Sequence, residues 1–126
     1  MKTIKTTLTL LTLLSALFLT QSCKNKNPSV AKVFVRSASN ELVANSRVVI
    51  IADVTKNESK IEYVDTLITN TSGYAEFNLE DYFNQAGKQI DVGQFFILGR
   101  KDGMEGSGTI RARVHTTAVE TIYVTQ

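Results

Sequence analysis

The feature that most constrains the fold is an alternation of apolar and polar residues, which runs from Ala31 almost to the end of the chain. Successive side chains of a β-strand point to opposite faces, so a period of two is typical of strands with one buried face. The alternating segments are short, rich in Val, Ile, Thr, Phe and Tyr, and separated by Gly, Asn, Ser and Asp. This pattern predicts an all-β domain.

Seven strands are expected, at Ala31–Ser37, Arg47–Val54, Ile61–Thr69, Gly73–Leu79, Gln94–Arg100, Gly108–His115 and Ala118–Thr125. Glu80–Lys88 lacks alternation and contains Gly87, which predicts a helical turn with a glycine stop. Asp102-Gly103 predicts a turn, and Thr116-Thr117 predicts a short connection that pairs the last two strands. Seven antiparallel strands favour a single immunoglobulin-like or transthyretin-like β-sandwich over residues 31–126.

Two of the expected strands are apolar without alternation. Val48–Ala52 is nearly all apolar, and Phe95–Leu98 forms a second apolar run. Such runs are typical of strands that are covered on both faces. We therefore expect the strand at Val48–Ala52 to be central with both faces covered, and the strand at Phe95–Leu98 to be buried.

The N-terminal segment has a different composition. Lys2 and Lys5 precede an uncharged, leucine-rich stretch from Thr6 to Ser22, which is the order of regions in a signal peptide. A membrane-spanning helix needs about 20 predominantly apolar residues, and threonines interrupt this shorter apolar core. Residues 1–22 are therefore expected to be a signal peptide.

Leu19-Thr20-Gln21-Ser22-Cys23 resembles the lipobox that lipoprotein signal peptidase recognises. The resemblance implies cleavage between Ser22 and Cys23 and attachment of fatty acyl chains such as palmitate to Cys23, where each buried CH₂ contributes about 0.8 kcal/mol to membrane retention. Residues 23–30 would then form the lipidated cysteine and a polar tether. The alternatives are an ordinary signal peptide with an unrelated cysteine, or an uncleaved anchor. Some lipoproteins are retained in the inner membrane by an acidic residue directly after the lipidated cysteine. This chain has Lys24 at that position. Its location is therefore expected to be the outer membrane, with the domain on the periplasmic or the surface face.

Charge and side-chain chemistry exclude several function classes. The chain has 14 Lys and Arg against 12 Asp and Glu, and removal of Lys2 and Lys5 would leave a neutral protein, which argues against nucleic-acid binding. A single cysteine excludes an intrachain disulfide, and a single histidine disfavours a transition-metal site. The loop carboxylates match no calcium-binding motif, so no metal or other cofactor is expected; they are Glu80, Asp81, Asp91, Asp102 and Glu105.

The segment Thr69–Phe77 resembles the Thr-Asp-x-x-Gly-x-Ala-x-Phe hairpin of carboxypeptidase regulatory-like and transthyretin-like domains, and Asn40–Val48 resembles the same group's entry into its second strand. In this hairpin Gly73 supplies a positive φ and Asn70 bonds the turn backbone. Relatives that hydrolyse 5-hydroxyisourate end in Tyr-Arg-Gly-Ser and use several histidines. This chain ends in Tyr123–Gln126, so the resemblance implies the fold and not that activity.

Three further patterns are candidate binding or modification sites. Arg111, Arg113 and His115 share one strand face, with Arg100 and Lys101 nearby if the strands are neighbours, and such a basic stripe would suit anionic sugars or lipid headgroups. The alternative is that carboxylates such as Glu120 on an adjacent strand neutralise this stripe.

Exposed tyrosines could stack on sugar rings, although strand propensity also explains them; they are Tyr63, Tyr74, Tyr82 and Tyr123. Asp65-Thr66-Leu67 resembles an O-glycosylation sequence of exported bacterial proteins, with Thr66 as acceptor, or arises by chance.

These patterns favour a non-catalytic, lipid-anchored envelope protein that binds, or structurally assists, an unknown envelope protein or glycan. The alternative is a carbohydrate- or peptide-binding module of a nutrient-capture system, which predicts that exposed aromatic residues cluster at one end of the sandwich. A small hydrolase ranks last. It predicts a concave pocket that holds His115 with a carboxylate.

Overall fold

The computed structural model describes residues 27–126. Ser22 and Cys23, with the predicted signal peptide and most of the tether, lie outside the described residues, so the cleavage and lipidation sites stay predictions. Within residues 27–126 no helix is long and apolar enough to cross a bilayer.

Seven strands and one short helix make up the domain, and this confirms the prediction of an all-β fold. The elements are β1 (Val30–Ser37), β2 (Arg47–Ala52), β3 (Val64–Ile68), β4 (Tyr74–Asn78), α1 (Glu80–Ala86), β5 (Val92–Lys101), β6 (Met104–Arg113) and β7 (Thr117–Val124). The largest difference from expectation is that β6 begins at Met104 rather than Gly108. The glycines at 106 and 108 break the apolar alternation there, so the sequence pattern understates the length of this strand.

The strands form two sheets, one with four strands in the order β3-β2-β5-β6 and one with three strands in the order β4-β1-β7. The four-stranded sheet is antiparallel. In the three-stranded sheet β1 pairs with β7 in parallel, from Val30 opposite Thr117 to Ser37 opposite Val124. The prediction of a wholly antiparallel sandwich is therefore wrong, because the first and last strands of the chain run in the same direction side by side.

The expected pairing of the last two strands is also wrong. β6 and β7 belong to different sheets and meet at an isolated bridge between Glu105 and Thr125, where each backbone N–H donates to the other residue's carbonyl at 3.0 Å. The connection after Arg113 passes through His115, whose φ is 58°. This left-handed residue turns the chain from one sheet to the other, and alternation within the two strands cannot reveal that change.

The core lies between the sheets and is closed at one end by α1. Six of the seven strands contribute alternate side chains to it, such as Val33 and Val35 of β1 and Val48 and Ile50 of β2, whereas the edge strand β3 has no buried side chain. Tyr82 of α1 is fully buried and its ring centroid lies 4.9 Å from that of Phe95. The prediction that Tyr82 is an exposed aromatic residue is therefore wrong.

Candidate functional site

The outer surface of the four-stranded sheet carries a continuous group of apolar side chains. The strand register places Val49 opposite Leu98 and Ile51 opposite Phe96, and on β3 it places Val64 beside Ile51. We call this group the outer apolar face; its residues are Val49, Ile51, Val64, Ile68, Phe96 and Leu98. Four of them are well exposed, with relative accessibilities of 64% for Val64, 56% for Ile68, 47% for Leu98 and 41% for Phe96.

This face arises because β2 and β5 are apolar on both sides. Val48 and Ile50 of β2 and Phe95 and Ile97 of β5 point inward and are buried, while the residues between them point outward. We expected both faces of β2 to be covered and β5 to be buried. The exposure of the outer side chains shows that no other described element covers them, so this prediction is wrong for the outer face.

Arginines border the outer apolar face at both ends. Arg47 of β2 lies directly opposite Arg100 of β5, and Arg111 of β6 lies opposite Gln94 near the other end of the sheet. Arg100 Nη2 lies 2.5 Å from Glu105 Oε1. Within residues 27–126 neither Arg47 nor Arg111 forms an ion pair, so the border of the face carries an excess of positive charge.

A cleft of about 260 Å³ opens between Arg47 and Arg100. Its lining combines these two arginines and Glu105 with apolar surface; the other lining residues are Val49, Leu98, Gly99 and Gly106. The Ser46 hydroxyl donates to the Arg100 carbonyl at 3.2 Å, which ties the start of β2 to the end of β5. Apolar walls beside two guanidinium groups are suited to a ligand that joins a negative charge to an apolar group.

The predicted basic stripe is only partly assembled. Arg111 and Arg113 are exposed on one face of β6, but His115 lies beyond the end of that strand. Arg100 lies six residues along the hairpin from the Arg111 pair, a separation of about 20 Å at 3.4 Å per residue. Lys101 Nζ lies 3.8 Å from Asp102 Oδ2. The five-residue stripe is therefore wrong. Glu120 is on β7 of the other sheet and does not neutralise it, but other carboxylates do so in part, because Glu105 pairs with Arg100 and Asp102 with Lys101.

His115 instead helps to hold the chain where it enters the domain. Its backbone N–H donates to Ser29 Oγ at 2.8 Å, and its Nδ1 lies 2.8 Å from the carbonyl oxygen of Asn27. Ser29 N–H donates to Glu80 Oε1 at 2.6 Å. These contacts lower the pKa of Glu80, with the backbone hydrogen bond from Ser29 as the largest cause and the charge of His115 as a smaller one.

His115 and Glu80 also line one cleft of about 340 Å³, together with residues of α1 and the loop that follows it. A histidine and a carboxylate in one concavity is the arrangement that the hydrolase hypothesis predicts. The nearest hydroxyl in these contacts is that of Ser29, which is completely buried and already accepts the His115 backbone N–H. The observed hydrogen bonds are therefore those of a clamp on the entering chain.

The carboxylates do not converge on a metal site. Among residues 27–126 no three His, Cys, Asp or Glu side chains are placed to hold a metal ion. Asp53, which no sequence pattern marks as a candidate, is the buried carboxylate of the domain. Its pKa is lowered, mainly because the Thr55 hydroxyl donates to it at 2.6 Å, with further bonds from the backbone N–H groups of Thr55 and Lys56. Asp53 therefore shapes the loop after β2.

The remaining candidates lie apart from one another. Thr66 is exposed on β3, an edge strand, and its N–H donates to Asp65 Oδ1 at 2.8 Å. Asn70 Oδ1 accepts from Ser72 N at 3.0 Å, and Gly73 has a φ of 73°, so these two residues form the turn between β3 and β4. The tyrosines are dispersed: Tyr63 packs against Tyr82 at one end, Tyr74 lies under Lys32 on the three-stranded sheet, and Tyr123 is exposed on β7.

No family model matches this chain, and no curated protein matches it. Among solved structures it is similar to chlorocatechol 1,2-dioxygenase from Pseudomonas putida, with 13% sequence identity and a TM-score of 0.47. The likeness covers 83% of this chain, which spans 63% of the length of the dioxygenase chain. At these values we carry nothing of that enzyme's chemistry over to this protein. The resemblance of the Gly73 hairpin to carboxypeptidase regulatory-like and transthyretin-like domains stays a prediction.

Proposed function

We propose that this chain is a non-catalytic, lipid-anchored protein of the bacterial cell envelope that binds a partner protein through the outer apolar face. The carrying observation is the exposure of Val64 and Ile68 on β3 and of Phe96 and Leu98 on β5, the two strands that flank β2 in one sheet. Contiguous apolar patches bordered by polar residues mark interaction sites in soluble domains. Flat sheet faces of this kind suit a protein surface better than a small ligand, which is usually held in a concave pocket.

The lipid-anchor part of the proposal comes from the Cys23 motif, and the fold is compatible with it. The chain enters β1 at Val30, at the same end of the sandwich as Asp91 and Val114, which share a backbone hydrogen bond. Seven residues from Cys23 to Ser29 reach at most about 25 Å, at 3.3–3.6 Å per residue. An anchored domain would stay close to the bilayer. This proximity favours a neighbouring envelope protein as the partner.

The two alternative functions have weaker support. A sugar-binding module predicts clustered exposed tyrosines, and the tyrosines are dispersed over both sheets and the core. A hydrolase predicts the cleft that contains His115 and Glu80, and that cleft is present. We assign the His115 contacts to the clamp on the entering chain, because the nearby Ser29 hydroxyl is buried. We also propose a transthyretin-like arrangement for the sandwich on the strength of the Asn70–Gly73 hairpin.

Two measurements test the proposal. Intact-mass analysis of membrane-fraction protein from the native host, beside Cys23→Ala, should show an acylated N-terminus at Cys23 that the variant lacks. An unmodified thiol at Cys23 would contradict the lipid anchor.

For binding, a photo-crosslinking amino acid is placed at Phe96 and, as a control, at Val119, an apolar residue that is 57% exposed on the three-stranded sheet. We expect a discrete protein adduct at position 96 only. Equal or absent adducts at both positions would contradict the proposal.

A further inference from the structure

The strongest unassigned feature is the pair of arginines above the cleft at the end of the outer apolar face. We infer that this cleft receives an acidic side chain of the partner protein, with an apolar side chain of the same segment beside it on Val49 and Leu98. The inference rests on the proposed function and deepens it, because it states which chemistry the partner presents. The juxtaposition of the two arginines, the charge of the face and the size of the cleft support it.

Arg47 and Arg100 are direct cross-strand neighbours, and like charges in that position destabilise a sheet. Glu105 compensates one of the two, since its carboxylate is paired with Arg100. Arg47 has no such partner among residues 27–126. A second carboxylate in the cleft would complete the pairing, and guanidinium groups bind carboxylates with two parallel hydrogen bonds when the geometry allows.

The charge of the outer apolar face differs from that of the rest of the domain. Residues 27–126 contain ten Lys and Arg against twelve Asp and Glu, so the domain as a whole is acidic. The strands of the four-stranded sheet place Arg47, Arg100, Arg111 and Arg113 on the outer side against the single strand carboxylate of Glu105, while Glu58 and Asp91 of the loops line a cleft with Arg111. Two copies placed face to face would oppose like charges, which disfavours a symmetric dimer through this face. An acidic partner surface is complementary to it.

The size of the cleft limits what can enter. Its volume of about 260 Å³ is below the roughly 300–1,000 Å³ of pockets that hold drug-sized ligands. The walls at Val49 and Leu98 are apolar, and both continue into the outer apolar face. One acidic side chain with an apolar neighbour matches this combination of volume, charge and lining. The rest of the partner would then lie across Phe96 and Ile68.

The test keeps the photo-crosslinking residue at Phe96 in the full-length protein in its native host and adds Arg47→Glu. Lys88→Glu is the matched control, because Lys88 is an exposed cation beside the His115 cleft, at the end of the domain where the chain enters β1. We expect Arg47→Glu to lower the adduct yield at least tenfold and Lys88→Glu to leave it unchanged. Mass spectrometry of the adduct should identify a linked segment with Asp or Glu beside an apolar residue. Reversing that partner carboxylate to arginine should restore the adduct with Arg47→Glu.

The outcomes separate the inference from the proposed function. An adduct that persists in Arg47→Glu, or a linked segment without carboxylates, would overturn the acidic-partner inference and leave docking at the outer apolar face intact. Absence of any adduct in the parent protein would overturn both. Purified Arg47→Glu should melt no lower than the parent, because a carboxylate then lies opposite Arg100 in place of a like charge, and Lys88→Glu should match the parent because Lys88 is exposed. A loss of adduct without a fall in melting temperature therefore reports binding.

Discussion

Gly106→Ala should destabilise the domain strongly, although alanine is normally a mild replacement for glycine. A Cβ at position 106 would overlap the carbonyl oxygen of Tyr123 and lie 2.7 Å from its carbonyl carbon. Both atoms belong to the backbone of β7, so β6 and β7 must move apart. The Glu105–Thr125 bridge, with its two backbone hydrogen bonds of 3.0 Å, is the contact that this movement breaks.

The expected fall in the free energy of unfolding of Gly106→Ala combines two unfavourable terms and one smaller favourable term. Two backbone hydrogen bonds contribute about 1 kcal/mol each, and overpacking typically costs about 1–3 kcal/mol. The reduced entropy of the unfolded chain returns about 0.5 kcal/mol. A net loss of about 3 kcal/mol corresponds to a fall in Tm of about 12–24 °C, at about 4–8 °C per kcal/mol for a domain of this size.

Urea denaturation and thermal melting of a form that begins at Lys24 would measure this loss. Ser107→Ala is the matched control, because Ser107 is the next residue of β6 and its side chain is exposed. Its free energy of unfolding should stay within about 0.5 kcal/mol of the parent. A Gly106→Ala variant as stable as Ser107→Ala would show that β6 and β7 do not approach as closely as described. It would refute the account of how these two strands meet at the Glu105–Thr125 bridge.

Three further predictions concern the turn at Gly73, the contacts of Glu80 with the entering chain and the half-buried phenol of Tyr63. Gly73→Ala should cost about 1–3 kcal/mol in urea denaturation, because φ is 73° and the new Cβ would lie 2.8 Å from the Leu42 Cβ; an unchanged midpoint would contradict this. The pKa of Glu80 is lowered in the folded state, so its contribution to stability is present above the unfolded pKa of about 4.3 and is lost as pH falls through the folded value. Glu80→Gln should therefore flatten the acid limb of a stability-versus-pH curve, and an unchanged limb would argue against the clamp. Burial, with the charges of Asp65 and Asp81, raises the pKa of Tyr63 to about 12, so stability should fall as pH rises from about 10 to 12; ultraviolet titration should lose this late phenol step in Tyr63→Phe.

Local patterns in the sequence predicted the elements of this fold well. Alternation identified five strands, apolar runs identified β2 and β5, and the missing alternation before Gly87 identified α1. Both signals depend on neighbouring residues, whose side-chain directions follow from backbone geometry. The pairing of strands depends on contacts distant in sequence, so the parallel pairing of β1 with β7 and the crossing between sheets at His115 could not be predicted.

The candidate site was missed for a related reason. The apolar runs at Val48–Ala52 and Phe95–Leu98 were interpreted as covered strands, because apolar side chains on both faces normally require cover on both faces. The runs themselves were the signal, and the described domain covers only one side of them. The arginines at 47 and 100 gave no sign of their proximity, since the register between β2 and β5 brings them together across more than 50 residues of sequence.

The most direct test of the docking account compares the accessibility of the outer apolar face in the native envelope and in isolation. Phe96→Cys and the control Val119→Cys would be labelled with a small thiol reagent, first in intact membranes and then as purified protein. We predict that the thiol at position 96 is protected in membranes and reactive after purification, while the thiol at position 119 reacts in both states. Equal reactivity of position 96 in membranes and in the purified protein would show that nothing covers this face, and would contradict the account.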